Sequence, residues 1–118
     1  MYGLPKGFNA TRLAGRTLQL LCFSVNQLFL HFDEKVSIEV ESEMSYDDLS
    51  DRGPVVIEVP TVASDLMRLL GRLVVQASGD EDGTLTLKFD NGHILQCLDS
   101  SPMYESYTIG FNDEQIIV

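Results

Sequence analysis

The chain has no tryptophan, two cysteines, two histidines, and only 8 lysines and arginines against 18 aspartates and glutamates. The shortage of basic residues bears most directly on function. A formal charge of −10 comes with no cluster of lysine and arginine that could neutralise phosphates, so nucleic acid is not an expected partner. Nor is an anionic membrane surface. No apolar run reaches the roughly 20 residues that a membrane-spanning helix needs. The most apolar stretch, Thr17 to Phe32, is interrupted by Gln19, Ser24, Asn26, Gln27 and His31. Lys6 is not followed by the apolar segment of a secretory signal, and a cytoplasmic location is expected. Cys22 and Cys97 sit among apolar neighbours in opposite halves of the chain. They read as two reduced core thiols, because a disulfide would require their two strands to lie side by side.

Signatures of catalysis are also missing. There is no Gly-x-Ser-x-Gly, no phosphate-binding loop and no dinucleotide fingerprint. Neither His31 nor His93 stands at a zinc-ligand spacing from a cysteine or carboxylate, and no local pattern activates either thiol as a nucleophile. Asp80-Glu81-Asp82-Gly83 has the acidic start of a calcium loop. However, the position needing an invariant glycine holds Leu85, and the position needing a bidentate glutamate holds Asn91. It reads as a hairpin turn. The expectation is a protein without catalytic residues, metal or cofactor.

What the chain does have is a duplication. Leu13-Ala14-Gly15-Arg16 is answered by Leu69-Leu70-Gly71-Arg72, and Leu28-Phe29-Leu30-His31-Phe32-Asp33 by Leu85-Thr86-Leu87-Lys88-Phe89-Asp90. At 118 residues, two copies of one unit imply a single domain whose core is shared by similar halves. Copy one spans about 9–44 and copy two about 61–98, with an acidic loop and strand at 45–59 between them and a strand region at 103–118 after them.

The pattern within each copy predicts a helix followed by three strands. Asn9 can cap a helix ending at Leu13 with Gly15 as its stop, and Thr61 or Ser64 one ending at Leu70 with Gly71 as its stop. Strands are expected at Arg16–Phe23, Gln27–Phe32 and Val36–Met44, and again at Leu73–Ala77, Thr84–Phe89 and His93–Leu98. Alternation of Leu28, Leu30 and Phe32 is that of a half-buried strand. Asn91-Gly92 is the clearest turn signal, since this pair readily supplies positive φ at both central positions. Further strands are expected at Val55–Val59 and Tyr104–Phe111, with Ile116–Val118 pairing or fraying. The predicted class is α+β, mainly antiparallel sheet.

Acidic residues concentrate between Asp33 and Glu58. Glu39, Glu41 and Glu43 alternate with Ile38, Val40 and Met44, placing a row of carboxylates on one face of a strand that runs into Asp47, Asp48 and Asp51. Such a surface is either a solvated face with a charged edge that resists aggregation or a docking site for a basic protein. A second asymmetry concerns apolar faces. Leu21, Phe23 and Phe29 are expected opposite Leu20, Cys22 and Leu30, whereas copy two offers Thr84, Thr86 and Lys88 at the corresponding outward places. Either a helix covers that extra apolar face of copy one, or the face is an oligomer or partner interface.

Leu69-Leu70-Gly71-Arg72, the run from Asp82 to Gly92, and Tyr104-Glu105-Ser106-Tyr107-Thr108-Ile109-Gly110 together resemble a family of small bacterial domains of unknown function, associated with immunity proteins of polymorphic toxin systems. The resemblance covers most of the chain, more clearly in its second half. It implies a non-enzymatic protein that neutralises a cognate toxin domain and carries over no catalytic residues. Glu39, Glu41, Glu43, Asp47, Asp48 and Asp51 are the candidate partner contacts, with Tyr104, Glu105 and Tyr107 as a candidate recognition patch. The competing reading is a structural or regulatory module that self-associates as a homo-oligomer.

Overall fold

The structure, a computed structural model, describes residues 3–24, 27–58, 64–99, 106–112 and 114–118. Copy one supplies a 3-10 turn (Ala10–Leu13), β1 (Leu18–Phe23), β2 (Leu28–Phe32), β3 (Val36–Val40), β4 (Glu43–Asp47) and β5 (Val55–Glu58). Copy two supplies a 3-10 turn (Ser64–Leu69), β6 (Val74–Gly79), β7 (Leu85–Phe89), β8 (Ile94–Cys97), β9 (Tyr107–Phe111) and β10 (Glu114–Ile117). The α+β expectation is therefore overturned: no α-helix occurs among the described residues, and the strands build two antiparallel five-stranded sheets.

The two expected helices are in the right places but are too short to become α-helical. Asn9 does cap the first, its side chain accepting from the Thr11 amide at 3.1 Å. The segment then closes only one tight turn before the backbone turns left-handed at Gly15 (φ +85°). Gly71 (φ +79°) ends the second in the same way. Segments of 4 and 6 residues cannot offset the cost of nucleating an α-helix, and the 3-10 form is the usual outcome.

The duplication extends further than three strands. The first sheet runs β1-β2-β3-β9-β10 and the second β6-β7-β8-β4-β5, so advancing every strand by five places turns one sheet into the other. Each half completes the other's sheet with its last two strands. β4 and β5, and likewise β9 and β10, are thus the fourth and fifth strands of each copy rather than additions to a three-stranded unit. In equivalent ladders Val40 lies opposite Tyr107 and Ile38 opposite Ile109, while Cys97 lies opposite Met44 and Leu95 opposite Tyr46. The halves meet at an antiparallel bridge between Thr17 and Leu73. Around it Gly15 N donates to Val74 O and Gly71 N to Leu18 O, both at 2.7 Å. Arg16 pairs with Asp33 at 3.8 Å, and Arg72 with Asp90 at 3.7 Å.

Val36–Met44 is not one strand. β3 ends at Val40, and the chain crosses over Glu41-Ser42 to enter the second sheet as β4. Glu41 N donates to Ser106 O at 2.9 Å and Leu98 N to Glu43 O at 3.1 Å, which ties this corner to both sheets. Strands that change sheet at a bend are one way in which two packed sheets share a core.

One buried cluster contains the inward residues of both sheets, including Leu28, Leu30 and Phe32 from copy one and Leu85, Leu87 and Phe89 from copy two. Each such side chain removed from water contributes about 1.5–3 kcal/mol. Alternation is interrupted in β1 and β6, where Gln19 and Val75 are bulged out of register. After the bulge, Leu21 lies opposite Leu30 and Phe23 opposite Leu28 on the core side, while Leu20 lies opposite His31 and Cys22 opposite Phe29 on the outer side. The expected division of the faces, with Leu21 and Phe23 beside Phe29 and opposite Leu20 and Cys22, is therefore reversed along β1. An extra residue flips every side chain that follows it.

The turns also divide differently between the copies. Gly92 is left-handed but Asn91 is not; its side chain instead accepts from His93 N at 3.0 Å. The pair of left-handed residues that defines a type I′ turn occurs in copy one, at Glu34 (φ +57°) and Lys35 (φ +59°). The expected strand from Tyr104 begins at Tyr107 among the described residues, and the chain end pairs through Val118 N, which donates to Tyr107 O at 2.9 Å. Tyr104, Glu105, the turn residues Val25 and Asn26, and the alternative cap Thr61 lie outside the described residues.

Candidate functional site

The six carboxylates expected to form one surface are distributed over three environments. Glu39 faces outward from β3, opposite Phe29 and Thr108 in the ladder. Glu41 is exposed at the corner, and Glu43 lies at the start of β4 in the second sheet. The side-chain amide of Gln27 donates to both Glu39 Oε1 and, at 2.9 Å, Glu41 Oε1. Two acids are thereby held side by side by one neutral donor.

Asp47 and Asp48 are instead engaged in building their own loop. Asp47 Oδ1 accepts from Leu49 N at 2.8 Å and Asp48 Oδ1 from Ser50 N at 3.0 Å. These side-chain turns hold Leu49 at φ +65°. Asp48 Oδ2 also accepts from Arg68 at 3.1 Å and pairs with Arg52 at 3.7 Å. The hydrogen bonds from Ser50, followed by that from Arg68, keep its carboxyl well below the usual carboxylate range. Asp51 is exposed on the same loop.

Arg68 continues inward over the Tyr46 ring, 5.3 Å from its centroid, and the buried Tyr46 hydroxyl is hydrogen-bonded to His93 Nδ1 at 2.7 Å. Asp48, Arg68, Tyr46 and His93 therefore form a connected line from the acidic loop to the β7–β8 hairpin. Asp48 is held by Arg68 and Arg52 at one end and the Tyr46 hydroxyl by His93 Nδ1 at the other, which ties the loop to the hairpin. Nothing in the residue types announced this network, because its members are up to 47 positions apart in the chain.

Tyr107, expected in a recognition patch, is fully buried, and its hydroxyl donates to Gly83 O. It is an anchor of the core. Burial raises its phenol above the ordinary range, with a further push from Cys97. Of the two thiols only Cys97 is in the core, where burial pushes it up to about 12. Cys22 is half-exposed on the outer face of the first sheet, and both are free. The expectation of two core thiols thus holds for one of them. A thiol held protonated in an apolar core is chemically inert.

Among the described residues no group of three or more histidine, cysteine, aspartate or glutamate side chains could hold a metal ion. A groove of about 630 Å³ crosses the outer face of the second sheet beside the first 3-10 turn, lined in part by Thr11, Gln76, Ser78, Thr86 and Lys88. Ala14, Val75, Ala77 and Ile94 line the rest of it, and its lining holds no histidine, cysteine or carboxylate beside the hydroxyls to activate them.

The corresponding face of the first sheet differs in chemistry. The outward residues are Leu20 and Cys22 on β1, Phe29 and His31 on β2, and Glu39 on β3. Leu20 is 51% exposed. The rings of Phe29 and His31 stack at 6.1 Å with 11° between their planes. Gln76, Ser78, Thr86, Lys88 and Gln96 occupy the matching places in copy two, and Ile94, opposite Lys88, stands where copy one has Ser37 opposite His31. No lysine or arginine occurs in any strand of the first sheet, and among the described residues no helix covers it.

Fold and surface together define a duplicated, strand-exchanged all-β protein that, among the described residues, carries an acidic corner beside the outer face of its first sheet. The chain belongs to the DUF6188 family, a family of unknown function, whose profile matches residues 10–118. No curated protein and no solved structure matches it.

Proposed function

We propose that this chain is a non-enzymatic protein-binding module, an immunity protein that neutralises a cognate bacterial toxin in the cytoplasm by docking on a basic surface of the toxin. The association with immunity proteins comes from the sequence resemblance carried by Leu69–Arg72, Asp82–Gly92 and Tyr104–Gly110. The observation that carries the binding reading is the acidic corner. Glu39, Glu41 and Glu43 follow one another outward from the first sheet to the second, and Gln27 holds the first two carboxylates in place. Fixed carboxylates in a protein of charge −10 attract a basic partner over a distance and orient it on arrival. Asp47 and Asp48, committed to their loop, contribute field rather than contacts, and Asp51 extends the acidic rim.

The test is co-expression with a toxin domain encoded beside this gene. Growth should be restored by the intact chain, with binding that weakens as salt rises. Simultaneous Glu39→Lys, Glu41→Lys and Glu43→Lys substitution should slow association at least tenfold at low salt. Unchanged binding and salt dependence in the triple variant would refute the acidic docking site, and failure of the intact chain to bind such a domain would refute the immunity reading.

A further inference from the structure

We infer that the outer face of the first sheet, centred on Leu20, Cys22, Phe29 and His31, is the apolar anchor for a partner that presents an aliphatic or aromatic side chain flanked by lysine or arginine. The inference rests on the reading of this chain as a protein-binding module and adds the place and chemistry of the contact.

The duplication supplies an internal control. Both outer faces have the same strand order, the same bulge and the same register, so they face the same geometric demands. Copy two meets them with Gln76, Ser78, Thr86 and Lys88, and carries Ile94 beside Lys88 where copy one has Ser37, so polar residues at these four places are compatible with the fold of this unit. Copy one has Leu20, Cys22, Phe29 and His31 at those places, a choice that folding does not require. Leu20 is exposed and Phe29 is half-buried beside it on the same face, and apolar side chains left in contact with water on one sheet face mark an interaction surface. The Phe29–His31 stack makes part of it flat and limits the rotamer freedom that binding would remove, which favours affinity.

Charge selects the occupant. Phe29 stands opposite Glu39 in the ladder, and Gln27 links Glu39 to Glu41 at the border of the face. A partner residue resting on Phe29 would therefore have two carboxylates beside it and no lysine or arginine in any strand of this sheet to repel a cation. Two copies of this chain face to face would set like charges together, each molecule carrying −10. A basic, apolar-tipped surface satisfies both the apolar centre and the acidic border. A second copy satisfies only the centre.

The experiment uses the full chain, labelled with 15N, and two synthetic amphipathic helical peptides. In one, leucines on one face are flanked by lysines; in the other, the same leucines are flanked by glutamates. Amide shifts on adding the lysine peptide should concentrate at Leu20, Cys22, Phe29, His31 and Glu39 and leave Gln76, Ser78, Thr86 and Lys88 unmoved. The glutamate peptide should produce none. The variants Leu20→Gln and Phe29→Thr, each taking the residue that copy two uses at that place, should keep the spectrum of a folded protein and weaken the lysine peptide at least tenfold. If both variants bind as tightly as the intact chain while Glu39→Gln with Glu41→Gln abolishes binding, the apolar anchor is refuted and the acidic docking site stands. If neither pair of substitutions matters, or the peptide binds both faces alike, both are refuted. A sedimentation experiment showing a dimer that Phe29→Thr dissociates would assign the face to a second copy and overturn the proposed occupant.

Discussion

At the scale of single residues, the most informative side chains are those whose surroundings change their chemistry. Cys97 and Tyr107 stand at neighbouring places in the core, and burial raises both of their titrations. For Cys97 the folded-state value is about 12 against 9.0 in the absence of the fold. Between these values the unfolded chain has lost the thiol proton and the folded protein has kept it. Stability contributed by the neutral thiol is therefore complete below pH 9 and falls as pH rises toward 12, by at most about 1.4 kcal/mol per pH unit. Urea unfolding of the intact protein and of Cys97→Val across this range should show the intact protein losing stability more steeply. Parallel curves would mean that the thiol is not desolvated. Tyr107 adds a loss of the same sign at higher pH in both proteins, smaller in the variant because part of its shift comes from Cys97. These burials could not be read locally. Cys22 and Cys97 have similar apolar neighbours in the sequence, and only the pairing of Cys97 with Met44 and Leu85 encloses the second thiol.

At the scale of elements, positions were more legible than types or faces. Alternation located β2 and β7, and the glycines located the ends of both turns that precede β1 and β6. The sequence does not distinguish a 3-10 turn from the first turn of an α-helix when the segment is this short, because capping residues and stop signals serve both. In β1 the error has one cause. Gln19 bulges, and a strict period of two assigned Leu21 and Phe23 to the wrong side. This placement has a direct consequence. Leu21→Ser removes a side chain packed on the core and should cost about 1–2 kcal/mol, whereas Leu20→Ser on the outer face should stay within about 0.5 kcal/mol. Equilibrium unfolding of the two variants decides it. The reverse order would restore the unbulged register and with it the original assignment of the faces. The bulge also decides which residues share the outer face with the acids. The acidic residues were legible as a cluster, but the apolar residues beside Glu39 are Leu20, Cys22 and Phe29, not Leu21 and Phe23.

At the scale of the whole molecule, the exchange of strands determines how the protein can come apart. A duplicated chain can be two small domains in series, each with its own core and its own transition. Here β4 and β5 complete the sheet of copy two, and β9 and β10 complete the sheet of copy one. Leu30 and Leu87 belong to one buried cluster, so neither half retains a closed core without the other. Most of the ladder contacts that join the halves link residues far apart in sequence, as in β3 with β9, so local collapse of one copy cannot run ahead of the other. The protein should therefore unfold as one cooperative unit. Leu30→Ala and Leu87→Ala should each cost about 2–5 kcal/mol, and each should move a single transition that far-ultraviolet circular dichroism and tyrosine fluorescence report at the same urea concentration. A second transition in either variant, or amides of one half that stay protected while the other exchanges, would show two independent modules. Cooperativity of this kind also lets the copies differ on the outside: with the core held in common, Leu20 and Phe29 in copy one stand where copy two has Gln76 and Thr86, without loss of the shared fold.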